Sequence, residues 1–507
     1  MAKRRLSRNV EEGMFIRNMD ELVSHGNREG RRLALEILEA GFQAADTYQA
    51  IRRLVRVEGH TLRVGGYPEL DVSGWGDLEI NLNEVEHIYV IGAGKAVQKQ
   101  AQALEDILGE RLTGGAVTVK RGEGAYLKKI EVTEGAHPVP DENSMVGARK
   151  IVDIAQRAGE RDLVFTLFSD GASALFPLPA EGFSLENVQA VYRLTIKYGP
   201  QTIIHRVMRY FSAVNCGRII KMIRPARAIN MIMQTGPFPR WRKQLPEEGA
   251  WVHSWPPPKR NYVQDVRSMQ QEAWWRDVPS AMREALERFD PRYDVPDLEE
   301  FRNWDHHYWQ PVGAEDVLRA MQRKAEELGL KGVILGNFPL VQSSEAAKIL
   351  VGMARHSAAY GEPFEPPVAL LSGGELMVPV GNATGIGGRN QEFVLSAATM
   401  LNESFGAHVV IASADSDGTD GPGTQYRSGP AGFVCQAGGV IDGETLPAAR
   451  RASIDLEAEL LNHNASIPLW KLGSGIVTGN TGTALGDMRV VLVLGRSHSR
   501  AASEAEG

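Results

Sequence analysis

Buried strand-like runs that end in glycine and continue into amphipathic segments recur along most of the chain. The run HIYVIGAG (87–94) precedes the helical pattern KAVQKQAQALEDIL, and DLVFTLFSDG (162–171) ends in the same kind of turn. Further runs of this kind are VALLSGGEL (368–376) and HVVIASADSDGTDG (408–421). Strand, turn and helix in alternation are typical of a mostly parallel sheet covered by helices. The sequence therefore predicts an α/β protein.

The length of 507 residues exceeds what one hydrophobic core usually supports, so we expect at least two domains. A polar N-terminal extension (1–30) leads into an N-terminal α/β domain (31–362). The proline-rich linker EPFEPP opens a C-terminal α/β domain (363–497), and a polar tail (498–507) follows it.

The stretch from about 236 to 312 differs from the rest of the first domain. It contains seven of the nine tryptophans and the run Pro256-Pro257-Pro258, and it shows no clear alternation of strands and helices. So many tryptophans argue against disorder, and a bare loop of this length is unusual in a compact domain. This Trp-rich segment is therefore a lid, an interface element or a structured insertion, and we expect that a homodimer, if it forms, uses it.

Charge and cysteine content narrow the functional classes. The net charge of −7 and the pI near 6.0 argue against broad nucleic-acid binding through phosphate neutralisation. The only cysteines are Cys216 and Cys435, so neither a disulfide framework nor a CxxC metal or redox pair is expected. The basic N-terminus lacks the apolar run of a secretory signal, and no stretch approaches roughly 20 apolar residues. These features predict a cytoplasmic protein that binds neither nucleic acid nor membrane.

The turn GAGKA (92–96) joins a buried strand to a helix. Backbone N–H groups at such a turn attract an anion, and Lys95 adds a full positive charge. The GxxxxGK[ST] spacing of a Walker A loop is absent, and Val97 stands where GxGxxG requires its third glycine. Gly92, Gly94 and Lys95 are candidates for binding phosphate or substrate. The alternative is a tight turn with a solvated lysine.

The segment SDGASA (169–174) ends a second buried strand in a turn of small residues, which let a ligand approach the backbone closely. Ser169, Asp170, Gly171 and Ser173 are its candidate binding residues. A helix-capping role for Ser173 is the alternative.

The loop AHPVPD (136–141) contains two prolines, which fix φ and push the preceding residues toward extended conformations. His137 is thereby held in one orientation before a helix that Asp141 or Asn143 caps. We take His137 as a candidate binding residue. A histidine that hydrogen-bonds only locally is the alternative.

The segment GIGGRNQE (385–392) delivers an arginine to the start of a helix. The helix dipole disfavours a cation there unless an anion is bound, so Arg389 is a candidate for binding negative charge. Its neighbours Gly387, Gly388 and Asn390 are candidates for binding substrate or phosphate.

The segment DSDGTDG (415–421) crowds three carboxylates together after a buried strand. Mg²⁺ takes one or two protein carboxylates together with phosphate oxygens and water, so Asp417 and Asp420 are candidate metal ligands. An EF-hand is excluded because no acidic residue stands at the twelfth position, and a simple Asp- and Gly-rich turn is the alternative. The hydroxyl-rich loop TGNTGT (478–483) offers Thr481 as a phosphate ligand.

Two anion-binding loops and one carboxylate-rich loop are the parts that phosphoryl transfer requires, because its catalysis is mostly positioning and neutralisation of charge. In an open α/β sheet such loops gather at the carboxyl ends of the strands. Two such domains that face each other enclose a cleft.

The order of the motifs GAGKA, HPVPDE, SGGE, GGRNQE, SDGTDG and TGNTGT resembles that of the glycerate 2-kinase family, whose last domain is called MOFRL. The resemblance implies two Rossmann-like domains with a cleft between them, and transfer of the γ-phosphoryl group of ATP to the 2-hydroxyl of D-glycerate with Mg²⁺. It implies that Lys95 and Arg389 stabilise negative charge on the substrate carboxylate or the transferring phosphoryl group. The acidic turn of the family falls on Asp417 and Asp420.

Several positions depart from that family pattern on the acceptor side. Asp170 occupies a glycine position, and the family's SDVxGD loop is missing after INMIM. We hypothesise that Asp170 replaces the missing carboxylate. Arg209 keeps one positive charge of the family's basic segment and is a candidate binding residue. The remaining departures are Met208 for an arginine, Tyr210 for a histidine, Asn215 for a lysine and Gln234 at the start of the missing loop.

The sequence therefore favours a kinase that acts on glycerate or a related short hydroxy acid. Two alternatives stay open. Members of this family are often labelled hydroxypyruvate reductase, which implies an NAD(P)H-dependent oxidoreductase, although no GxGxxG with a following acidic residue supports it. The missing loop and the Trp-rich segment favour a non-catalytic descendant that binds a sugar acid or a nucleotide.

Overall fold

The computed structural model describes residues 13–199, 202–233, 253–254, 261–296, 301, 303–304, 306–338, 341–401 and 403–496. Its helices are α1 (Met19–Leu22), α2 (Arg28–Ala44), α3 (Thr47–Leu54), α4 (Val97–Leu108), α5 (Glu142–Arg157), α6 (Ala172–Leu175), α7 (Leu185–Tyr198), α8 (Thr202–Phe211), α9 (Arg218–Ile223), α10 (Tyr262–Gln270), α11 (Ser280–Glu287), α12 (Ala314–Glu327), α13 (Ser343–Tyr360), α14 (Arg389–Met400), α15 (Glu403–Gly406), α16 (Thr445–Arg451), α17 (Leu456–Leu461) and α18 (Ser466–Lys471).

Its strands are β1 (Val55–Glu58), β2 (Thr61–Val64), β3 (Leu78–Asn81), β4 (Ile88–Ala93), β5 (Gly114–Lys120), β6 (Ile130–Gly135), β7 (Leu163–Ser169), β8 (Arg227–Met233), β9 (His306–Trp309), β10 (Lys331–Asn337), β11 (Val368–Gly373), β12 (Val409–Asp415), β13 (Gly438–Asp442), β14 (Gly475–Ile476) and β15 (Asp487–Val493). Within the described ranges, no helix is both long enough and apolar enough to span a bilayer.

Two compact units divide the chain. The parallel-sheet unit consists of Thr47–Val312 and Gly482–Ala484. The mixed-sheet unit consists of Met1–Asp46, Gly313–Thr481 and Leu485–Gly507.

These units differ from the predicted domains at both ends of the first domain. We predicted a boundary near residue 362, whereas 313–362 belongs to the mixed-sheet unit, and α2 belongs there as well. The physical reason is packing: α2 lies along α12, and Gly41 of α2 fits directly against Met321 and Met488. A proline-rich linker marks a break in the strand pattern, but the burial of an amphipathic helix face decides which core a segment joins.

The parallel-sheet unit contains a six-stranded sheet in the order β6-β5-β4-β7-β8-β9, in which all neighbouring strands run parallel. This confirms the predicted α/β class with a parallel sheet. Strands β4 and β7 are neighbours, and Ala93 pairs with Phe168 at their carboxyl ends. The turns that follow these two strands therefore lie side by side. A separate antiparallel sheet of β1, β2 and β3 belongs to the same unit.

The mixed-sheet unit contains a sheet in the order β10-β11-β15-β12-β13-β14. Of its described pairs, β10 and β11 run parallel and the others run antiparallel, so the prediction of a mostly parallel sheet is wrong for this unit. The last strand, β15, inserts between β11 and β12 in the opposite direction. Because of this insertion, the carboxyl end of β12 meets the amino end of β15, and Asp415 lies opposite Asp487.

The described part of the Trp-rich segment is a structured insertion that contains α10, α11 and β9. Trp274 and Trp275 are buried in one hydrophobic cluster with Tyr210. Trp304 and Trp309 are also buried, and β9 extends the parallel sheet as its edge strand. These four rings pack into the protein's own core, so they do not form the surface of a dimer interface. The remaining tryptophans of the segment, Trp241, Trp251 and Trp255, lie outside the described residues.

Candidate functional site

The GAGKA turn connects β4 to α4 at the carboxyl edge of the parallel sheet. A Cβ atom on Gly92 would lie 2.1 Å from the carbonyl oxygen of Leu167, and a Cβ atom on Gly94 would lie 2.1 Å from Oγ of Ser169. Gly94 also has a φ of +138°, which favours glycine. The two glycines therefore let this turn pack directly against β7 and the turn that follows it.

Three consecutive backbone N–H groups of the GAGKA turn donate to the protein itself. Their acceptors are the carbonyl oxygen of Thr118 for Gly94 (3.1 Å), the carbonyl oxygen of Asp170 for Lys95 (3.0 Å) and Oγ of Ser169 for Ala96 (3.1 Å). The last two bonds join this turn to the turn that follows β7, and the first ties it to β5. What the turn offers to an anion is therefore the ammonium group of Lys95 and the amino end of α4.

Lys95 and His137 flank the second turn at Gly171. Gly171 has a φ of +85°, and a Cβ atom there would lie 3.0 Å from Cγ of Lys95 and 3.3 Å from Cδ2 of His137. The structure thus brings together Lys95, His137, Ser169, Asp170 and Gly171. We call these five residues the lysine cluster. Three separate motifs of the sequence converge in it, as expected for the carboxyl edge of a parallel sheet.

Two residues near the lysine cluster, Asp141 and Ser173, were predicted as possible helix caps. Asp141 caps α5 by accepting the N–H of Ser144 at 2.9 Å, which confirms the predicted capping role. The alternative role of Ser173 as a cap is wrong, because Gly171 begins α6 without a side-chain cap. Ser173 instead accepts the hydroxyl hydrogen of Tyr192 on its carbonyl oxygen.

Arg209 lies on α8 and is buried against the Trp-rich segment. Its Nη1 pairs with Oδ2 of Asp265 at 3.4 Å, and Tyr210 donates its hydroxyl to the same oxygen at 2.7 Å. Burial and the negative charge of Asp265 raise the pKa of Tyr210, so the hydroxyl stays a donor. Nε of Arg209 has no hydrogen-bond partner among the described residues. The guanidinium of Arg209, for which we predicted a binding role, is therefore almost fully buried.

The other acceptor-side departures also contact the Trp-rich segment or the core. Met208 is buried in the same hydrophobic cluster as Trp274. Asn215 donates to Oγ of Ser212 at 2.8 Å and lies 3.1 Å from Nδ1 of His253. Burial lowers the pKa of His253 to about 3, so the ring is neutral and Nδ1–H donates to Asn215. Gln234 lies outside the described residues.

Arg389 is the first residue of α14, and three carboxylates surround its guanidinium. Nε donates to both oxygens of Asp487 (3.0 and 2.9 Å), and Nη2 pairs with Asp415 (2.9 Å) and Glu375 (3.0 Å). We predicted that a bound anion offsets the unfavourable helix dipole at this position. The structure shows that the chain supplies those anions itself. We call Arg389 and its three carboxylates the arginine cluster.

The charge state of the arginine cluster follows from these pairs. Burial alone would lower the pKa of Arg389, but Asp487, Glu375 and Asp415 together raise it well above its ordinary value. Arg489 contacts Asp487 at 3.3 Å, yet burial lowers the pKa of Arg489. Arg389 therefore stays protonated.

Asp420 holds the amino end of α14 and is fully buried. Its Oδ1 accepts the backbone N–H of Asn390 at 3.2 Å and its Oδ2 accepts that of Gln391 at 2.8 Å. Asn390 also donates its side-chain amide to Asp420 and, at 2.9 Å, to Asp487. Burial raises the pKa of Asp420 to about 7, against the lowering effect of Arg389 and of these N–H groups.

Of the two predicted magnesium ligands, Asp420 does not fit, because its carboxylate binds the amino end of α14. Both oxygens of Asp420 are occupied by the helix, and Asp417 accepts the N–H of Thr419 at 2.8 Å. Throughout the described ranges, no three His, Cys, Asp or Glu side chains are arranged to hold a metal ion. Asp420 therefore has a structural role as the cap of α14.

The remaining candidates of this unit serve mainly to pack the loops together. A Cβ atom on Gly388 would lie 2.4 Å from Asp420, and one on Gly387 would lie 3.0 Å from the carbonyl oxygen of His463. Thr481 is buried, and its hydroxyl donates to the carbonyl oxygen of Ser416 at 2.5 Å. The glycines are needed for close approach, and Thr481 ties its loop to the acidic turn.

Sequence reasoning missed Asp487 and Arg489, which complete the arginine cluster. Both side chains are fully buried at the start of β15. Arg489 donates to the carbonyl oxygens of Gly373 and Gly374 and thereby holds the SGGE turn. The sequence DMRVVLVLG offered one indication. Asp487 and Arg489 are two residues apart at the start of an apolar strand, so their side chains lie on the same face of it.

Known proteins resemble this chain over most of its length. Residues 33–234 match a domain of unknown function, DUF4147, and residues 368–487 match the MOFRL family. Glycerate 2-kinase of Pyrococcus horikoshii is 32% identical over 466 residues, which are 91% of this chain and 97% of that protein. The crystal structure of glycerate kinase from Thermotoga maritima has a TM-score of 0.69 at 25% identity and covers 91% of this chain and 99% of that one. A putative hydroxypyruvate reductase of Agrobacterium vitis is 29% identical and matches 80% of this chain and 86% of its own length.

The fold and these matches define an α/β kinase, a phosphotransferase that acts on small-molecule substrates including a nucleotide. The chain belongs to the glycerate 2-kinase family. The predicted family and enzyme class are confirmed. The reductase alternative is not favoured, because the relatives that match 91% of the chain are named kinases.

Proposed function

We propose that this enzyme transfers the γ-phosphoryl group of ATP to the 2-hydroxyl of D-glycerate or of a related short hydroxy acid. The observation that carries the proposal is the lysine cluster, in which Lys95 lies beside His137 and the Gly171 turn at the carboxyl edge of a parallel sheet. That edge is where open α/β sheets bind their ligands. The names of the relatives support the acceptor and the reaction.

In the reaction, the 2-oxygen of the acceptor forms a bond to the γ-phosphorus, and the bond from that phosphorus to the leaving oxygen of ADP breaks. Lys95 and Arg389 neutralise the negative charge of the acceptor carboxylate or of the phosphoryl group. Such positioning and charge stabilisation supply most of the rate in phosphoryl transfer.

Asp170 is the proposed acceptor of the hydroxyl proton. It follows β7 in the lysine cluster, and its backbone carbonyl is fixed by the N–H of Lys95 at 3.0 Å. An aspartate that accepts the substrate hydroxyl proton is the usual arrangement in kinases. Asp170 also stands at a position where the family pattern has glycine, which is consistent with a replacement for the missing SDVxGD carboxylate.

Mg²⁺ is proposed as the counter-ion of ATP, because it usually binds through substrate phosphates and a small number of carboxylates. No pair of described residues is assigned to it, since Asp420 serves α14.

A coupled assay for ADP release tests the proposal with a series of hydroxy acids of three to six carbons. We expect D-glycerate to give the highest kcat/KM, and Asp170→Asn to lower kcat by about 10²–10⁴, the range of general base catalysis. Lys150→Ala, which removes a partly exposed lysine that pairs with Glu131, is the control. Thermal stabilisation by ATP–Mg²⁺ without turnover of any acid would favour a non-catalytic binding protein instead. Unchanged turnover of Asp170→Asn would dismiss Asp170 as the base.

A further inference from the structure

Asp487 is the most connected carboxylate of the arginine cluster. Its side chain is fully buried. Its oxygens accept hydrogen bonds from Nε of Arg389 (2.9 and 3.0 Å), Nδ2 of Asn390 (2.9 Å), Nη1 of Arg489 (3.3 Å) and the backbone N–H of Leu376 (3.4 Å). An ionised carboxylate offers about four acceptor positions, so these donors use its full capacity.

The three carboxylates around Arg389 are not equivalent. The side chain of Glu375 is 27% exposed, that of Asp415 is 4% exposed and that of Asp487 is 0% exposed. Charges interact more strongly where water is excluded, and a partly exposed pair contributes little. Asp487 therefore exerts the strongest hold on the guanidinium.

Asp487 binds the guanidinium of Arg389 through Nε and not through Nη1. Nε is bound to Asp487 and Nη2 to Asp415 and Glu375, while Nη1 makes no hydrogen bond to any residue that the structure describes. The side chain of Arg389 is 20% exposed. Because the guanidinium is planar, fixing Nε and Nη2 also fixes the direction of the two N–H groups on Nη1.

We propose that Asp487 is a positioning residue for phosphoryl transfer, which orients Arg389 so that Nη1 faces the negative charge of the reacting group. The inference rests on the proposed function of Arg389 and adds a residue that no motif of the family pattern contains. Asp487 also links this orientation to the SGGE turn, because Leu376 and Arg489 both bind it. A preorganised donor stabilises developing charge without the cost of reorienting during the reaction.

Chemical rescue separates positioning from a purely structural role. Arg389→Ala removes the guanidinium, and we expect kcat to fall about 10²–10³-fold, as for loss of one preorganised donor. Added guanidinium chloride, at concentrations below those that unfold the protein, should restore kcat by about tenfold, a part of that factor. The restored activity requires the carboxylate that holds the guanidinium. In Arg389→Ala/Asp487→Asn, guanidinium should therefore give no rescue.

Asp162→Asn is the matched control, because Asp162 is also a buried carboxylate that accepts two backbone N–H groups, those of His87 and Gly159. Arg389→Ala/Asp162→Asn should keep the full rescue. Equal rescue in the Asp487→Asn background would overturn the inference. Near-normal turnover of Arg389→Ala would instead refute the proposed role of Arg389, so the two failures are distinguishable.

Asp487→Glu covers the case in which Asp487→Asn does not fold. It keeps the charge and moves the carboxylate by one methylene, so it should lower kcat with a smaller change in KM, because the interaction is one that strengthens in the transition state. Unchanged kcat for a folded Asp487→Glu would show that the position of this carboxylate does not matter, and would also overturn the inference.

Discussion

Lys95 and Arg389 are the candidate cations of the two units, and the protein holds them in different ways. Lys95 lies on a turn that close backbone packing defines, with glycines at 92 and 94 and its side chain against Gly171. Arg389 lies in a network of three carboxylates, where charge and hydrogen bonding define its position. The lysine cluster should therefore be sensitive to added volume, and the arginine cluster to the geometry of charge. Three substitutions test that difference, and a fourth tests the buried carboxylate that caps α14.

Removal of the Lys95 charge should have the largest effect. We expect Lys95→Ala to lower kcat about 10³-fold, the upper range for loss of a group that stabilises transition-state charge. The melting temperature should change little, since the side chain is partly exposed. Steady-state kinetics and a thermal melt of Lys95→Ala and of the partly exposed control Lys150→Ala measure both quantities. A loss of turnover that follows a loss of folding would contradict a direct role in charge stabilisation.

Arg389→Lys keeps the charge of the arginine cluster but removes its planar fork. A lysine side chain has a single nitrogen, so it cannot bind Asp487 with one nitrogen and direct another elsewhere, as arginine does. We therefore expect kcat to fall about 10²-fold. Arg319→Lys, on the exposed face of α12, is the control and should leave kcat unchanged. If Arg389→Lys retains wild-type kcat, charge alone suffices and the geometric distinction between the clusters fails.

Gly171→Ala adds volume to the lysine cluster without changing any charge. Its φ of +85° costs a non-glycine residue about 1–3 kcal/mol of stability. Its Cβ atom would also displace Lys95, which lies 3.0 Å away. Gly329→Ala is the matched control, because Gly329 has a φ of +79° and no atom within 4 Å of the added Cβ. We expect both variants to lose stability and Gly171→Ala alone to lose kcat, which kinetics at a temperature where both are folded will show.

Asp420 should affect the pH dependence of stability. Its pKa of about 7 in the folded protein is above the ordinary value of 3.8, so the folded state binds the proton more tightly than the unfolded state. The stabilising contribution of this proton is fully present below pH 3.8 and is lost as the pH rises through 7. We expect the free energy of unfolding of the wild type, relative to Asp420→Asn, to fall by about 2–3 kcal/mol between pH 5 and pH 8. Urea titrations at both pH values measure it, and parallel pH profiles of the two proteins would contradict the assignment.

Much of the lysine cluster could be predicted from the sequence. Lys95, His137 and Gly171 belong to short motifs that end parallel strands, and parallel strands bring such motifs to one edge. The arginine cluster could be predicted only in part. Arg389 was visible at a helix start, but Asp487 lies almost 100 residues later in an apolar strand. The direction of β15 was also not readable, because an apolar run has the same pattern in either direction.

The positions that depart from the family pattern on the acceptor side also have partners that the sequence did not reveal. Tyr210 and Asn215 could be recognised as unusual from the sequence, but their partners Asp265 and His253 lie in a segment without regular alternation. The sequence indicated that this segment was ordered, since it is rich in tryptophan. Its role in covering α8 depends on packing that no local pattern encodes.

The sequence by itself determined the α/β class, the positions of the turns and the cations that they carry, because strand and helix periodicity and glycine turns are local properties. Tertiary structure decided which strands became neighbours, that β15 runs antiparallel between β11 and β12, and that Asp487 therefore meets Arg389. It also decided that Asp420 caps a helix. These outcomes depend on burial and on contacts between residues far apart in the chain, which lower the free energy only once the fold has formed.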